Sequence, residues 1–298
     1  MHKSGFVNII GQPNVGKSTL MNALVGERMS IITNKPQTTR HRIIGIVSEE
    51  DFQVVFSDTP GIIKDPSYKM QEAMNRYVST TFQDADIMLF VTSIQEQYAA
   101  DDPIMERLNS LEVPLFLVLN KVDLASDERI LELINFWNKH VQFAETIPIA
   151  ALTKKNTEKL LELILQYLPE GPVYYPKDQL TDRPERFFVS EIIREKILTL
   201  YHQEIPYSCE VLVTSFKADT TKDGTPLVRI GAEIYVVRKT QKAIIIGKAG
   251  KAIKQLGMEA RKSIETWLEQ KVFLELHVKV KDNWRDDDRQ LQHFGYDR

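Results

Sequence analysis

One short run limits this chain more than any other feature. Gly11-Gln12-Pro13-Asn14-Val15-Gly16-Lys17-Ser18 fits G-x-x-x-x-G-K-[ST], follows an apolar run at 6–10 and opens a helix-forming stretch. A glycine-bounded loop between a strand and a helix turns successive backbone N–H groups inward. They lie at the positive end of the helix, where phosphate oxygens are held. Gly11, Asn14, Val15, Gly16 and Thr19 are the expected cradle residues. Lys17 is expected to reach the β- and γ-phosphates, and the Ser18 hydroxyl to ligate Mg²⁺.

The sequence around this loop has the pattern such a loop needs. Short apolar runs at 6–10, 42–48, 52–57, 87–92, 115–119 and 146–149 alternate with amphipathic stretches near 67–84, 101–111, 127–141 and 155–168. This alternation predicts an α/β domain whose mostly parallel sheet is covered on both faces. Ligands in such sheets bind beyond the carboxyl ends of the strands, and the remaining motifs fall there.

Asp58-Thr59-Pro60-Gly61 follows the third run. An aspartate at that strand end can hold Mg²⁺ through a water, and the Gly61 N–H can approach a γ-phosphate unobstructed. Asn120-Lys121-Val122-Asp123 follows the fifth run. A carboxylate only accepts hydrogen bonds, so Asp123 suits the N1–H and N2–H₂ donors of guanine. Adenine lacks that donor pair, and such a site should reject it by about 10⁴-fold. Asn120 is expected to bond guanine N7, with the Lys121 stem over the base.

With three motifs in this order, the chain resembles translation-factor-class GTPases. Within that resemblance, Pro36-Gln37-Thr38-Thr39-Arg40-His41-Arg42 matches the first switch loop. Thr39 is implied to complete Mg²⁺ coordination when γ-phosphate is present, with Thr38 as the alternative. Pro148-Ile149-Ala150-Ala151-Leu152 sits where the family usually reads Ser-Ala. Ala150 therefore removes one side-chain contact, while the Ala151 N–H is expected to bond guanine O6. Ile62 follows Gly61, so no glutamine is placed there to orient the attacking water. Asn14 matches the asparagine that ligates K⁺ beside the phosphates in related GTPases. The resemblance therefore implies slow, K⁺-stimulated hydrolysis assigned to Lys17, Thr39, Gly61 and Asn14.

Pro169, Pro172, Pro176 and Pro184 crowd sixteen residues and stop both helix and strand. The expected organisation is a domain over 1–170, a linker over 171–184 and a second domain over 185–298. The second part shows a helix at 187–201, strands near 210–216 and 227–237, and a short apolar run at 243–246. Two helices and an alternating strand with Val272, Leu274, Leu276, Val278 and Val280 complete it. Ile246-Gly247-Lys248-Ala249-Gly250-Lys251 is expected to join a strand to a helix. Its G-x-x-G resembles the clamp loop of a type II KH module, which grips a nucleic-acid backbone. Residues 238–262 hold eight Lys or Arg against Glu259 alone, the footprint of a phosphate-binding stripe. Gly247, Lys248, Ala249, Gly250, Lys251 and Lys254 are the expected RNA contacts.

A GTPase domain, a proline-rich connection and a type II KH domain together resemble the Era family. The resemblance covers essentially the whole chain. It implies GTP/GDP and Mg²⁺ as cofactors, with K⁺ as a further ion. The implied partners are the 3′ end of 16S rRNA and the small ribosomal subunit. It also implies a monomer in the cytoplasm with peripheral association at the membrane. Two rivals stay open: an RNA-binding scaffold that holds GTP without turnover, and a membrane-associated GTPase whose basic stripe meets anionic lipid.

Composition is compatible with this reading. Residues 183–298 carry 21 Lys or Arg against 17 Asp or Glu, so the basic charge gathers in the second part. Cys209 is the single cysteine, which excludes an intrachain disulfide. No apolar stretch approaches the ~20 residues that span a bilayer, and a signal peptide is not expected. Trp284, Phe294 and Tyr296 could stack on bases, but packing at a domain end is the favoured expectation. None of the scattered histidines forms a metal-ligand spacing.

Overall fold

The computed structural model describes residues 2–63, 65–221 and 223–296. The chain divides into two compact units, one of residues 1–64 and 74–182 and the other of residues 65–73 and 183–298.

In the first unit the elements run β1 (Lys3–Ile10), α1 (Lys17–Val25), β2 (Ile43–Ser48), β3 (Phe52–Asp58), α2 (Lys69–Thr81), β4 (Ile87–Ser93) and α3 (Pro103–Asn109). Then follow β5 (Leu115–Asn120), α4 (Asp127–His140), β6 (Glu145–Pro148) and α5 (Thr157–Tyr167). Helix α2 starts within the residues that group with the second unit. The sheet order is β2-β3-β1-β4-β5-β6, and only β2 runs antiparallel. Every residue of β4 and β5 is buried, as central parallel strands covered on both faces must be. The chain leaves β1 towards one side of the sheet and β3 towards the other. The carboxyl end of β1 is therefore a switch point, where a crevice opens.

The second unit contains α6 (Glu185–Leu200), the single turn α7 (Ile205–Ser208), β7 (Cys209–Thr220), β8 (Pro226–Val236), α8 (Lys239–Ile246), α9 (Lys251–Leu268), β9 (Lys271–Val280) and α10 (Asp288–His293). β7 pairs antiparallel with β8, and β8 pairs parallel with β9. Val189, Ile193 and Ile197 of α6 share one core with Leu256, Ala260 and Ile264 of α9 and the apolar face of the sheet. The helix order and the parallel last strand match the type II KH arrangement expected from the sequence.

One element differs from that expectation. Residues 243–246 are the end of α8, so the G-x-x-G loop joins two helices instead of a strand and a helix. A four-residue apolar run does not distinguish a buried strand from a helix end. Here the Gln241 Oε1 accepts the Val237 and Arg238 N–H groups, which starts a helix that carries Ile245 into the core. Only one long helix, α9, follows the loop. The tail aromatics are packed inside: Trp284 donates its Nε1–H to Ser208 O, and the buried Tyr296 donates its hydroxyl to Glu210.

The proline-rich stretch is also more ordered than a linker. Through residue 182 it belongs with the first unit, because side chains of the sheet hold its backbone. The fully buried Gln53 accepts from the N–H groups of Tyr174 and Tyr175 at 2.8 and 3.0 Å and donates to Tyr175 O and Ser48 Oγ. Lys177 Nζ donates to Glu49 O and Glu50 O, each at 2.8 Å. Leu180 O accepts from Ile46 N at 2.8 Å, which occupies part of the exposed edge of β2. Gln53→Leu leaves the Tyr174 and Tyr175 N–H groups without acceptors. Chemical denaturation should show a loss of roughly 1–3 kcal/mol, and limited proteolysis should show new cleavage within 173–181.

Candidate functional site

Four loops at the carboxyl ends of β1, β3, β5 and β6 surround a cleft of about 620 Å³. It is lined by the loop after β1, the switch residues 37–39, Gly61 and the 120–124 and 151–152 segments.

Helix α1 begins at Gly16 with no side-chain cap and no acidic residue in its first turn. The first N–H groups of a helix lack intrahelical partners, so those of Lys17, Ser18 and Thr19 face an anion site. Gly16 has φ 101°, and a Cβ there would lie 2.2 Å from Asn120 Nδ2. Lys17 is buried and donates Nζ to Gly11 O at 3.0 Å and Gln12 O at 2.8 Å. Burial pushes its ammonium down to about 8, partly offset by Asp58 and Glu96. An arriving phosphate would supply the countercharge that two carbonyls do not.

Asn120 ties the cleft together. Its Nδ2 donates to Val15 O at 2.9 Å, and its Oδ1 accepts from Lys121 N at 2.8 Å and Ala151 N at 3.0 Å. One Nδ2 hydrogen is left over for a purine nitrogen. The Ala151 N–H, expected at guanine O6, is thus held by Asn120 and kept at the base end of the cleft. Ala150 is buried and pairs with Lys155 in a small bridge. Lys121, at φ 63°, sends Nζ to Asn14 O at 2.8 Å, so its stem crosses the base end of the cleft. Asp123 is exposed beside two open leucines, Leu124 and Leu152, which are 61% and 80% exposed. Such apolar surface suits the faces of a flat base. Leu124 was not singled out from the sequence because a leucine after a short polar motif has no signal of its own.

The other end of the cleft carries a hydroxyl–carboxylate cluster. Ser18 Oγ donates to Asp58 Oδ2 at 2.7 Å and lies 2.8 Å from Thr39 Oγ1, which is 3.3 Å from the same Asp58 oxygen. Thr38 turns the other way, bonding Thr33 Oγ1 and Lys35 O. Burial pushes the Asp58 carboxyl up, against the pull of Lys17 and the neighbouring hydroxyls. Its second oxygen, Oδ1, is buried and has no hydrogen-bond partner. A small, hard cation satisfies such a site. Two hydroxyls and one carboxylate are too few for a protein-only cage, but suit Mg²⁺ that shares phosphate oxygens and waters. Among the described residues no cluster of three His, Cys, Asp or Glu side chains forms another metal site. Gly61 closes this end: a Cβ there would lie 2.6 Å from Pro13 Cγ. Asn14 stands exposed at the loop tip with φ 65°.

In the second unit, Gly247, Ala249 and Gly250 all take positive φ, forming a tight turn before the uncapped N-terminus of α9. Lys248, Lys251 and Lys254 are exposed around it. Exposed Ile244 adds an apolar surface at the end of α8.

Comparison with known proteins fits these two sites. Residues 6–121 match the family described as 50S ribosome-binding GTPase, and residues 204–285 match the KH domain family. GTPase Era of Syntrophus aciditrophicus is 48% identical over 99% of this chain and 96% of its own length. GTPase Era of Staphylococcus haemolyticus is 45% identical, covering 99% and 97%. A crystal structure of Era with MgGDPNP and nucleotides 1506–1542 of 16S ribosomal RNA superimposes with a TM-score of 0.92. It has 37% identity and covers 99% of both chains. A variant of Aquifex aeolicus Era bound to GDP·AlF4⁻ gives a TM-score of 0.91 with the same identity and coverage. With the GTPase loops and the KH turn both in place along one continuous match, this chain belongs to the Era family of GTPases.

Proposed function

We propose that this GTPase is a nucleotide-gated RNA clamp that binds the 3′ end of 16S rRNA and assists maturation of the small ribosomal subunit. The observation that carries the gating is the Ser18–Thr39–Asp58 cluster. It joins the phosphate loop, the first switch loop and the end of β3 around one orphaned carboxylate oxygen.

Ser18 and Thr39 would hold Mg²⁺ directly and Asp58 through water, and the bound ion would supply positive charge to balance the phosphate oxygens. Lys17 exchanges two carbonyl partners for phosphate oxygens, and the free N–H groups of α1 hold the remainder. The Gly61 N–H approaches the γ-phosphate from the side opposite the base. Asp123 accepts from guanine N1–H and N2–H₂, and Asn120 donates its spare N–H to N7. Thr39 already lies beside Ser18 and Asp58, and a bound ion and terminal phosphate would hold it there, so that its loop would report nucleotide state. With Ile62 after Gly61, charge stabilisation is assigned to a K⁺ beside Asn14 in place of a glutamine-held water.

The RNA reading is supported by a chain 37% identical to this one that was crystallised with nucleotides 1506–1542 of 16S ribosomal RNA. The exposed lysines around the G-x-x-G turn supply the phosphate contacts that a clamp needs. We place the protein in the cytoplasm as a monomer. The same basic stripe would also meet anionic lipid, giving peripheral membrane association that RNA should displace. No helix of the described residues is long and apolar enough to cross a membrane.

Three measurements test this reading. Asp123→Asn replaces an acceptor with a donor at the base edge, so nucleotide competition should show guanine binding falling by ~10²-fold or more and xanthine binding rising. GTP turnover should be several-fold faster in KCl than in NaCl at equal ionic strength; equal rates would remove K⁺ from the mechanism. For RNA, a fragment copying the 16S 3′ tail should bind more tightly with a GTP analogue than with GDP. Lys248→Ala with Lys251→Ala should flatten the dependence of log K on log[salt] by roughly 1.4, about 0.7 per lost single-strand phosphate contact. Unchanged binding to a scrambled RNA would leave only a basic surface.

A further inference from the structure

Arg42 is the last residue of the first-switch motif and stands directly before β2. Its guanidinium reaches several parts of the first unit at once. Nε donates to Ser57 Oγ at 2.6 Å, Nη1 to Asp84 Oδ2 at 2.5 Å and Nη2 to Asn8 Oδ1 at 3.4 Å. Asn8 and Ser57 are register partners in β1 and β3, and both are fully buried. Asn8 in turn donates Nδ2 to Thr81 O at 2.8 Å and to Asp84 Oδ1 at 2.7 Å. Thr81 ends α2, where carbonyls lack intrahelical partners. One network therefore joins the end of the first switch to β1, β3 and the end of α2.

This network stands beside the residues assigned to magnesium. Ile43, the residue after Arg42, pairs with Asp58 in the antiparallel ladder of β2 and β3, and Ser57 directly precedes Asp58. Thr39 lies three residues before Arg42 and meets Ser18 and Asp58 from there. Arg40 and His41, between them, are 0% and 5% exposed, so the connection is short and packed. The other end of the switch segment is held as well, because Asn22 Oδ1 accepts from Met29 N and Ser30 N, each at 2.9 Å. Local opening starts where a strand meets a loop, and Arg42 sits at that junction. Its ion pair with Asp84 is partly solvated, with side chains 18% and 47% exposed, and charge alone contributes little there. The specificity comes from the planar fork, which meets Ser57 and Asn8 in one fixed orientation that an ammonium cannot copy.

We propose that Arg42 is a positioning residue for the GTP-bound state: it pins the end of the first switch against β3, so that Thr39 stays within reach of the magnesium ion. The inference rests on the assignment of Thr39 as a magnesium donor in the presence of the terminal phosphate. Partners that orient metal ligands from behind typically alter affinity by 10–100-fold when removed. The effect should fall on the nucleotide that carries a γ-phosphate and spare the one that lacks it.

The test uses the full chain and compares the affinities of a fluorescent GDP and a fluorescent, non-hydrolysable GTP analogue in saturating Mg²⁺. Thr39→Ala should weaken the GTP analogue; if it does not, the assignment of Thr39 itself fails. Arg42→Ala should weaken the GTP analogue by about 10-fold and leave GDP unchanged. In a Thr39→Ala background the same substitution should add nothing, because the residue it positions is gone. Arg42→Lys keeps a charge for Asp84 and loses the fork, so it should show the same selectivity with a smaller loss. If Arg42→Ala weakens both nucleotides equally, the lysine variant decides: a selective loss supports the inference, and an equal loss or none overturns it. An unchanged GTP-analogue affinity in Arg42→Ala, or a full further loss in the Thr39→Ala background, also overturns it while the Thr39 assignment stands.

Discussion

The side chain of Asn120 holds the nucleotide cleft in shape. One amide, 2% exposed, bonds the carbonyl of Val15, the N–H of its own neighbour Lys121 and the N–H of Ala151. It thereby links three loops that leave different strands of the sheet. A buried amide with both ends engaged fixes its neighbours more tightly than apolar packing can, because each lost bond leaves a buried polar group without water. The close approach at Gly16 follows from this: any larger residue would displace the amide. The phosphate end and the base end of the cleft are thus kept in register by a residue whose motif is usually discussed for its contact with the base.

The same economy recurs elsewhere. Gln53 holds the proline-rich strap with three hydrogen bonds from one amide. Asn22 fixes the backbone at 29–30 with three. In each case a side chain from a helix or sheet supplies hydrogen bonds to a segment with no regular partner of its own. Irregular backbone can then be buried without leaving orphan groups. This is why a stretch with four prolines, read as a connector, packs as part of the first unit through residue 182. Proline removes donors from the chain but leaves carbonyls, and Ile46 N at the sheet edge and the Ser4 hydroxyl use those of Leu180 and Pro172.

Much of the architecture was legible before any coordinates. The α/β alternation, the phosphate loop before α1 and the acidic and polar motifs after β3 and β5 are all local patterns set by neighbours a few residues apart. The small domain with its G-x-x-G turn was read in the same way. The errors were local as well. The run at 243–246 is too short for its periodicity to choose between strand and helix, and the cap that decides it comes from Gln241. The loop that brings Ala151 to the cleft is also held from a distance, by a side chain thirty-one residues earlier, which local spacing does not announce.

The sequence alone determined the chemistry on offer: a phosphate cradle, a carboxylate for guanine, hydroxyls for a hard cation and a basic turn for a nucleic-acid backbone. Each of these depends on residue type and short spacing. Tertiary structure decided which candidates meet. Thr39, and not Thr38, joins Ser18 and Asp58, although the two threonines are adjacent and chemically alike. Asn120 takes the Ala151 N–H across thirty-one residues, a pairing no motif announces. These outcomes depend on the direction in which a loop presents its side chains after distant strands have paired. That direction comes from long-range packing and hydrogen bonding, which no local spacing encodes.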